Sequence, residues 1–450
     1  MPSRSLLALV ILAGCASAPV PSCPEPESPA APAAARAAAH AAASAPSASP
    51  EAPTTLPAVA RFDVEPDAAM KRVDAKEAGL DPAALDDLVR EAERTKSDAL
   101  LVIVDGKVVV ERYFGKPRSL IETMSATKSV VSMAIGRLVA DGKIASVDVP
   151  LSTFFPDWRQ GRKAKVTLKH VLTHTSGLEH GKGAGNLNKQ KDRLAFVRKS
   201  AIVEEPGEKF SYNNEATQLL AGVVKAASGK PLDAYVAETI FAPLGIVEWQ
   251  WAKDDAGNVQ AFYGLALHAR DLAKLGQVML DKGRYGDARI LPEQWVVASS
   301  TEAVPRSGHG LLWWLRYGPW TLELTTAKLD ELKAAGFGAG AKLAPLVGKR
   351  YTTGVSAFWM DVGTRLEESE RASLAAVIQR GIVPVAETPG PVIGFAADGW
   401  LGQHLLVIPD RRIVVVRQHR EPKGQVADDA YNQAVGFFSL AKMMDRAARR

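Results

Sequence analysis

The sequence predicts an α+β protein built in three α/β/α layers. An antiparallel sheet is flanked by terminal helices, and a mostly helical subdomain is inserted into it. Three observations carry this expectation. The folded part opens with a helix pattern followed by a hairpin pattern. It closes with a hairpin pattern followed by a helix pattern. Between them, apolar residues recur mostly at helical spacing. One sheet joining both ends, covered by helices, buries all of these apolar faces together. With 450 residues, 47% of them hydrophobic, the chain has ample material for such a core.

The first segment lies outside this fold. "MPSR" carries one arginine and precedes the apolar run "SLLALVILAG". A charged start and an apolar run this short describe an export signal, too short for a stable bilayer span. The run ends in "LAGC", so residues 1–14 are expected to be a lipoprotein-type signal and Cys15 the lipidated new N-terminus. Several acyl chains on that cysteine would hold the protein to a membrane where one chain would not. The expected location is the bacterial cell envelope, with the outer membrane or periplasm favoured, and the lipid anchor is the only membrane contact. The alternative is an ordinary signal cut near Ala16–Ala18. Cys23 is the only other cysteine, which excludes a disulfide framework and a cysteine-based metal site in the folded part. Residues 15–60 are almost entirely Ala, Pro, Ser and Glu without apolar periodicity, and are expected to form a disordered tether.

The folded domain is expected over 61–450. "DPAALDDLVREAERT" has a helix-start aspartate, a proline in the first turn and apolar spacings of three and four. "ALLVIVDGKVVVERYFG" is two apolar runs around Asp105-Gly106, a strong hairpin signal. "QHLLVIPDRRIVVVRQ" is a second hairpin and "AYNQAVGFFSLAKMMDRAA" a closing helix. The helical subdomain spans roughly 130–310. No internal repeat is present. The net charge of +5 is small for this length, and no basic run is interleaved with aromatics, which argues against a nucleic-acid partner.

The chemistry concentrates at "MSATKSVVSMAIGRLVADG", read as a helix with one apolar face and with Ser125 and Lys128 at its start. Residues three apart share a helix face, so the Ser125 hydroxyl comes within reach of the Lys128 amine. Unpaired N–H groups and the positive helix end favour a developing oxyanion. Burial lowers a lysine pKa and makes a neutral amine available as a base. Ser-x-x-Lys alone is a cheap pattern. It recurs at Ser439 and Lys442 in the closing helix, where no partner accompanies it.

The first copy has company. "VTLKHVLTHTSGL" follows it, then "PGEKFSYNNEATQLLAGVV" with Tyr212-Asn213-Asn214, then "IFAPLGI", "GLALHARDLAKLGQVML", "GHGLLWWL" and "ADGWLGQHLLVIPD". In this order the ensemble resembles the serine β-lactamase and penicillin-binding-protein-like family, in its class C, esterase and 6-aminohexanoate-dimer hydrolase branch. The resemblance runs from about Asp81 to the C-terminus and implies a β-lactamase/transpeptidase-like fold. It assigns Ser125 as the acylated nucleophile and Lys128 as its partner. Tyr212 becomes a general base or proton shuttle, and Asn214 the residue that hydrogen-bonds the lysine and the substrate carbonyl. Either Lys128 or Tyr212 takes the serine proton.

The third motif departs from the family pattern. Where β-lactamases carry Lys-Thr-Gly and many esterases His-x-Gly, this chain has Ala397-Asp398-Gly399. Ala397 cannot attract a substrate carboxylate, and Asp398 adds negative charge. The oxyanion hole needs only backbone N–H groups, here those of Ser125 and Trp400. The resemblance therefore implies two-step hydrolysis of a small ester, amide or peptide-like substrate, with no cofactor and no metal. The alternatives are a β-lactamase or D-Ala-D-Ala carboxypeptidase-type cell-wall peptidase, and a non-catalytic binding protein on the same fold.

Other features weigh less. His170 and His174 stand one turn apart, as a zinc pair would, but no third ligand is placed. His309 and His404 could face the pocket, and Trp313 and Trp314 read as core and pocket wall. Residues 319–391, with the helix-like "AKLDELKAAG" and "ESERASLAAVIQR", form either a lid or rim over the pocket or an elaboration away from it.

Overall fold

The computed structural model describes residues 71–420, apart from 116, 182 and 353–354, together with residue 444. The signal and tether expected over 1–60, Cys15, the second Ser-x-x-Lys copy and most of the closing helix lie outside the described residues. The described chain falls into two compact units, one of them Tyr317–Pro391.

In the larger unit, helix α1 (Pro82–Arg94) starts where Asp81 accepts the Ala83 N–H at 2.9 Å, with Pro82 in the first turn. Strands β1 (Ala99–Val104) and β2 (Lys107–Tyr113) follow as the expected hairpin. Asp105 and Gly106 both have positive φ, 49° and 75°, the turn whose twist matches paired strands. A three-residue 3₁₀ turn, Met124–Ala126, leads into α2 (Thr127–Ala140). Farther on come α3 (Leu168–Leu172), α4 (Asn214–Ser228) and α5 (Ala269–Leu280). Strand β3 (Trp314–Tyr317) ends at the smaller unit, and β4 (Val392–Gly399), β5 (Gln403–Ile408) and β6 (Ile413–Gln418) complete a six-stranded sheet.

The sheet order is β2-β1-β6-β5-β4-β3. The N- and C-terminal hairpins thus meet at β1 and β6, antiparallel, with Leu101 opposite Val416. Alternation divides the side chains between two faces. Leu100, Val102, Leu406 and Val415 pack with Leu85, Leu88 and Ala92 of α1. On the other face α5 lies so close that a Cβ at Gly276 would stand 2.6 Å from both Leu405 and Val414. The three layers are therefore α1, sheet and α5.

Helix α2 differs from the sequence expectation in two ways. It begins at Thr127, so Ser125 sits in the preceding 3₁₀ turn and not in the α-helix itself. It is also buried on nearly every side and not along one stripe: Lys128, Ser129 and Ser132 are as covered as Val131 and Ile135. Ser129 can be buried because its hydroxyl donates to the Leu312 carbonyl at 2.6 Å.

The smaller unit has its own core, formed by Leu329, Leu332, Phe337, Phe358, Leu374 and Ile378 among others. Helices Thr326–Ala334 and Glu368–Gln379 match the two helix-like stretches seen in the sequence. The helices Gly340–Leu343 and Val355–Gly363 and a three-stranded sheet of two- and three-residue strands were not expected. Among the described residues, no helix is long and apolar enough to cross a membrane.

Candidate active site

The 3₁₀ turn before α2 is held from both sides. Thr123 donates its backbone N–H to the Leu265 carbonyl at 2.8 Å and its hydroxyl to the same oxygen at 3.0 Å. Met124 has a φ of 49°, a left-handed conformation that a side chain disfavours. Three more non-glycine residues of this neighbourhood share it: His174 (φ 55°), Leu312 (φ 60°) and Leu401 (φ 64°). Such strain persists only where surrounding contacts impose it, and it concentrates at functional sites.

Lys128, on the first turn of α2, points back at this turn. Its Nζ lies 3.0 Å from Ser125 Oγ and 2.7 Å from the Phe262 carbonyl oxygen. The side chain is only 3% exposed. That burial drives the amine pKa well below its ordinary value, and the opposing pull of Glu215 does not restore it. The neutral amine is thus favoured, and a neutral amine can accept a proton.

Tyr212 reaches the same point from the segment before α4. Its ring centroid lies 4.9 Å from Lys128 Nζ, and its hydroxyl is near enough to Ser125 to feel that side chain. Burial pushes the phenol up to about 12, Ser125 opposing and Asp398 adding to the rise. At neutral pH it is a protonated donor. The ring is clasped by Trp314, stacked at 5.7 Å and 21°, and by His174 at 4.5 Å. His309 in turn packs against both His174 (5.0 Å) and Trp314 (4.7 Å).

Asn214 is the first residue of α4. Its Oδ1 is buried without a hydrogen-bond partner, and the lysine's second contact is the Phe262 carbonyl instead. The expected Asn214–Lys128 hydrogen bond is therefore absent. The neighbouring Asn213 has a structural role. It caps α4 by accepting the Ala216 N–H at 2.7 Å and donates to the Leu178 carbonyl at 2.7 Å.

The third-motif strand β4 runs into this turn. A Cβ on Gly399 would stand 2.3 Å from the Thr123 carbonyl oxygen and 3.0 Å from Met124 Cβ. Backbone thus meets backbone, and the Trp400 amide follows directly. Ala397 is 1% exposed, so its methyl offers no surface to a substrate. Asp398 is paired with Arg316 of β3 and accepts from His404 Nδ1 at 2.9 Å. Burial pushes its carboxyl up, but Arg316 and His404 outweigh that and hold it well below the usual carboxylate range.

The two histidines that suggested a metal pair serve separate hydrogen bonds. His170 Nδ1 accepts from the Thr167 N–H at 3.2 Å, closing the start of α3, while His174 Nδ1 accepts from the Asn213 N–H at 3.2 Å. Trp313 is core, edge-on to Phe395, whereas Trp314 stacks on Tyr212. Sequence reasoning missed the Phe262 carbonyl, whose role belongs to backbone, and Arg316 as the partner of Asp398.

A family model described as Beta-lactamase matches residues 85–436. Among relatives, esterase EstB of Burkholderia gladioli is 31% identical over 161 residues, which is 31% of this chain and 41% of the esterase. The chain thus matches about two fifths of that relative's length. Among solved structures, the octameric penicillin-binding protein homologue from Pyrococcus abyssi shares 19% identity at a TM-score of 0.50, covering 81% of this chain and 78% of its own. The penicillin-binding protein from Bacillus halodurans shares 17% identity at a TM-score of 0.50, covering 78% of this chain and 100% of its own. At these identities the structural likeness speaks to fold alone.

Proposed function

The chain belongs to the beta-lactamase family of serine hydrolases, and we propose that it cleaves an ester or amide bond through an acyl-enzyme on Ser125. The observation that carries this reading is the buried lysine amine 3.0 Å from the serine hydroxyl. In the first step Lys128 Nζ accepts the Oγ proton as Oγ attacks the carbonyl carbon. The C–O or C–N bond to the leaving group then breaks, and Tyr212 delivers a proton to that group. Water cleaves the acyl-enzyme by the reverse proton path, regenerating Ser125 and releasing an acid. The choice of Lys128 as base rests on the two opposite pKa shifts: burial favours a neutral amine and a protonated phenol. The oxyanion would be met by the N–H groups of Ser125 and Trp400.

The preference for esters or amides over β-lactams and cell-wall peptides rests on the third motif. Ala397 brings no charge, and Arg316, the cation beside it, is already neutralised by Asp398. The reading is tested with a short p-nitrophenyl ester and a chromogenic cephalosporin side by side, with Ser125→Ala as control. Ester turnover that vanishes in the variant, with little cephalosporin cleavage, is expected. Brisk cephalosporin cleavage would overturn the preference, and ester turnover surviving in Ser125→Ala would overturn the nucleophile. Export and lipidation at Cys15 belong to the same proposal. Radiolabelled palmitate should enter the parent in a bacterial host and not the Cys15→Ser variant, and an unlabelled parent would refute the anchor.

A further inference from the structure

We infer that His174 is a positioning residue for Tyr212, holding the chain on both sides of the tyrosine so that its hydroxyl stays at Ser125. The Ser211 N–H donates to the His174 carbonyl at 2.8 Å. The Asn213 N–H donates to His174 Nδ1 at 3.2 Å. One residue thus accepts from the amide before Tyr212 and from the amide after it, while its ring packs on the tyrosine ring at 4.5 Å. His174 is 1% exposed and keeps a left-handed backbone, φ 55°, to do so.

The contact fixes the tautomer. An imidazole nitrogen that accepts an amide proton carries none itself, so the ring proton belongs on Nε2. A protonated ring could not make this bond. Burial first, and His309 after it, keep the ring neutral. His174 then acts on the reaction only through Tyr212, and the inference rests on the reading of Tyr212 as the proton relay.

The geometry makes two substitutions informative. Asparagine tolerates a left-handed backbone, and its Oδ1 stands on the same γ carbon position as histidine Nδ1, so His174→Asn keeps both acceptors. Glycine tolerates the backbone equally but carries no side-chain acceptor and no ring. Both are made in the full chain and assayed for kcat and KM on the p-nitrophenyl ester. In parallel, tyrosine labelled with ¹³C at Cζ is incorporated, and the Tyr212 resonance is assigned by its loss in Tyr212→Phe.

His174→Asn is expected to keep kcat within about fivefold. His174→Gly should lose about 100-fold in kcat with KM nearly unchanged, the loss typical of misplacing a reacting group by about 1 Å. The Tyr212 resonance should stay in place in the asparagine variant and move toward the value of an exposed tyrosine in the glycine variant. Equal losses in both variants, or an unmoved resonance in His174→Gly, would overturn the inference. Should the glycine variant fail to fold, the asparagine variant still decides, since a 100-fold loss there would refute the acceptor role. A resonance that moves while kcat holds would retain the positioning and remove Tyr212 from the proton path. That outcome separates the two readings.

Discussion

Replacing Gly399 by alanine tests how closely the third-motif strand and the nucleophile turn must meet. Gly399 has φ −130° and ψ 159°, ordinary extended backbone, so alanine carries no conformational penalty there. The obstacle is contact. The new Cβ would lie 2.3 Å from the Thr123 carbonyl oxygen, about 1 Å short of a close C···O approach of about 3.3 Å. Neither side yields easily: Thr123 is pinned to Leu265, and the strand is paired through β5. The turn and the strand must therefore separate by roughly that distance, which moves the Trp400 amide away from Ser125. Overpacking of this kind costs about 1–3 kcal/mol of stability. The misplacement costs about 100-fold in kcat. The assay is steady-state ester hydrolysis well below the melting temperature, with a fluorophosphonate to report the acylation step alone. A Gly399→Ala enzyme with kcat and labelling rate within about threefold of the parent would refute the claim that these two backbones form one oxyanion site.

Three further outcomes follow from the buried charges. Lys128→Met should lose about 100- to 10,000-fold in kcat/KM, the range for a removed general base, yet unfold at higher urea at pH 7. The unfolded chain holds this lysine's proton up to about pH 10.4, whereas the folded chain releases it at lower pH. The unfolded state therefore binds more protons in between, and the parent's stability should rise with pH across that window by up to about 1.4 kcal/mol per pH unit. Urea melts at pH 7 and 9.5 check this; a parent and a Lys128→Met variant with parallel pH dependence would contradict it. The ester kcat/KM should fall on the acid side as Lys128 gains its proton, and show no loss from Tyr212 below about pH 10, because the phenol titrates near 12; a tyrosine-dependent alkaline limb at pH 8–9, absent in Tyr212→Phe, would count against the protonated relay. Asp398→Asn releases Arg316 from its partner and should raise the preference for an acidic p-nitrophenyl hemisuccinate over a neutral butyrate by about tenfold, the worth of one charge-assisted contact; an unchanged ratio would show that Arg316 does not face substrate.

What the sequence revealed were features whose cause is local. Asp81 and Pro82 mark a helix start wherever they occur, and Asp105-Gly106 turns a hairpin by its own backbone preference. Joining the two terminal hairpins into one sheet needed only the argument that their apolar faces require cover. Ser125 and Lys128 were found by spacing, although the spacing holds through a 3₁₀ turn and not through an α-helix. Tertiary partners were hidden. The Phe262 carbonyl meets Lys128 across 134 positions, and Arg316 meets Asp398 across 82. His174 was visible as a histidine but not as the clasp on Tyr212, because that role depends on a left-handed backbone at a residue type that rarely adopts it. The two- and three-residue strands of the 317–391 unit are too short to show alternation at all.

That unit leaves the sheet at the end of β3 and returns at the start of β4, two neighbouring strands. Its own ends meet, with the Gly318 N–H donating to the Pro391 carbonyl at 2.8 Å. It occupies the slot of a connecting loop and is expected to be separable from the sheet as a cassette. Because closing a loop costs only slowly more as it lengthens, a gene encoding a short turn at this slot, or a different cassette, should still yield the sheet and its serine. Excising the segment in favour of such a turn, followed by a melting curve of the shortened enzyme, tests that modularity, and a chain that no longer folds would deny it. If it folds, the chain at this slot can change in length and content without rebuilding the centre around Ser125.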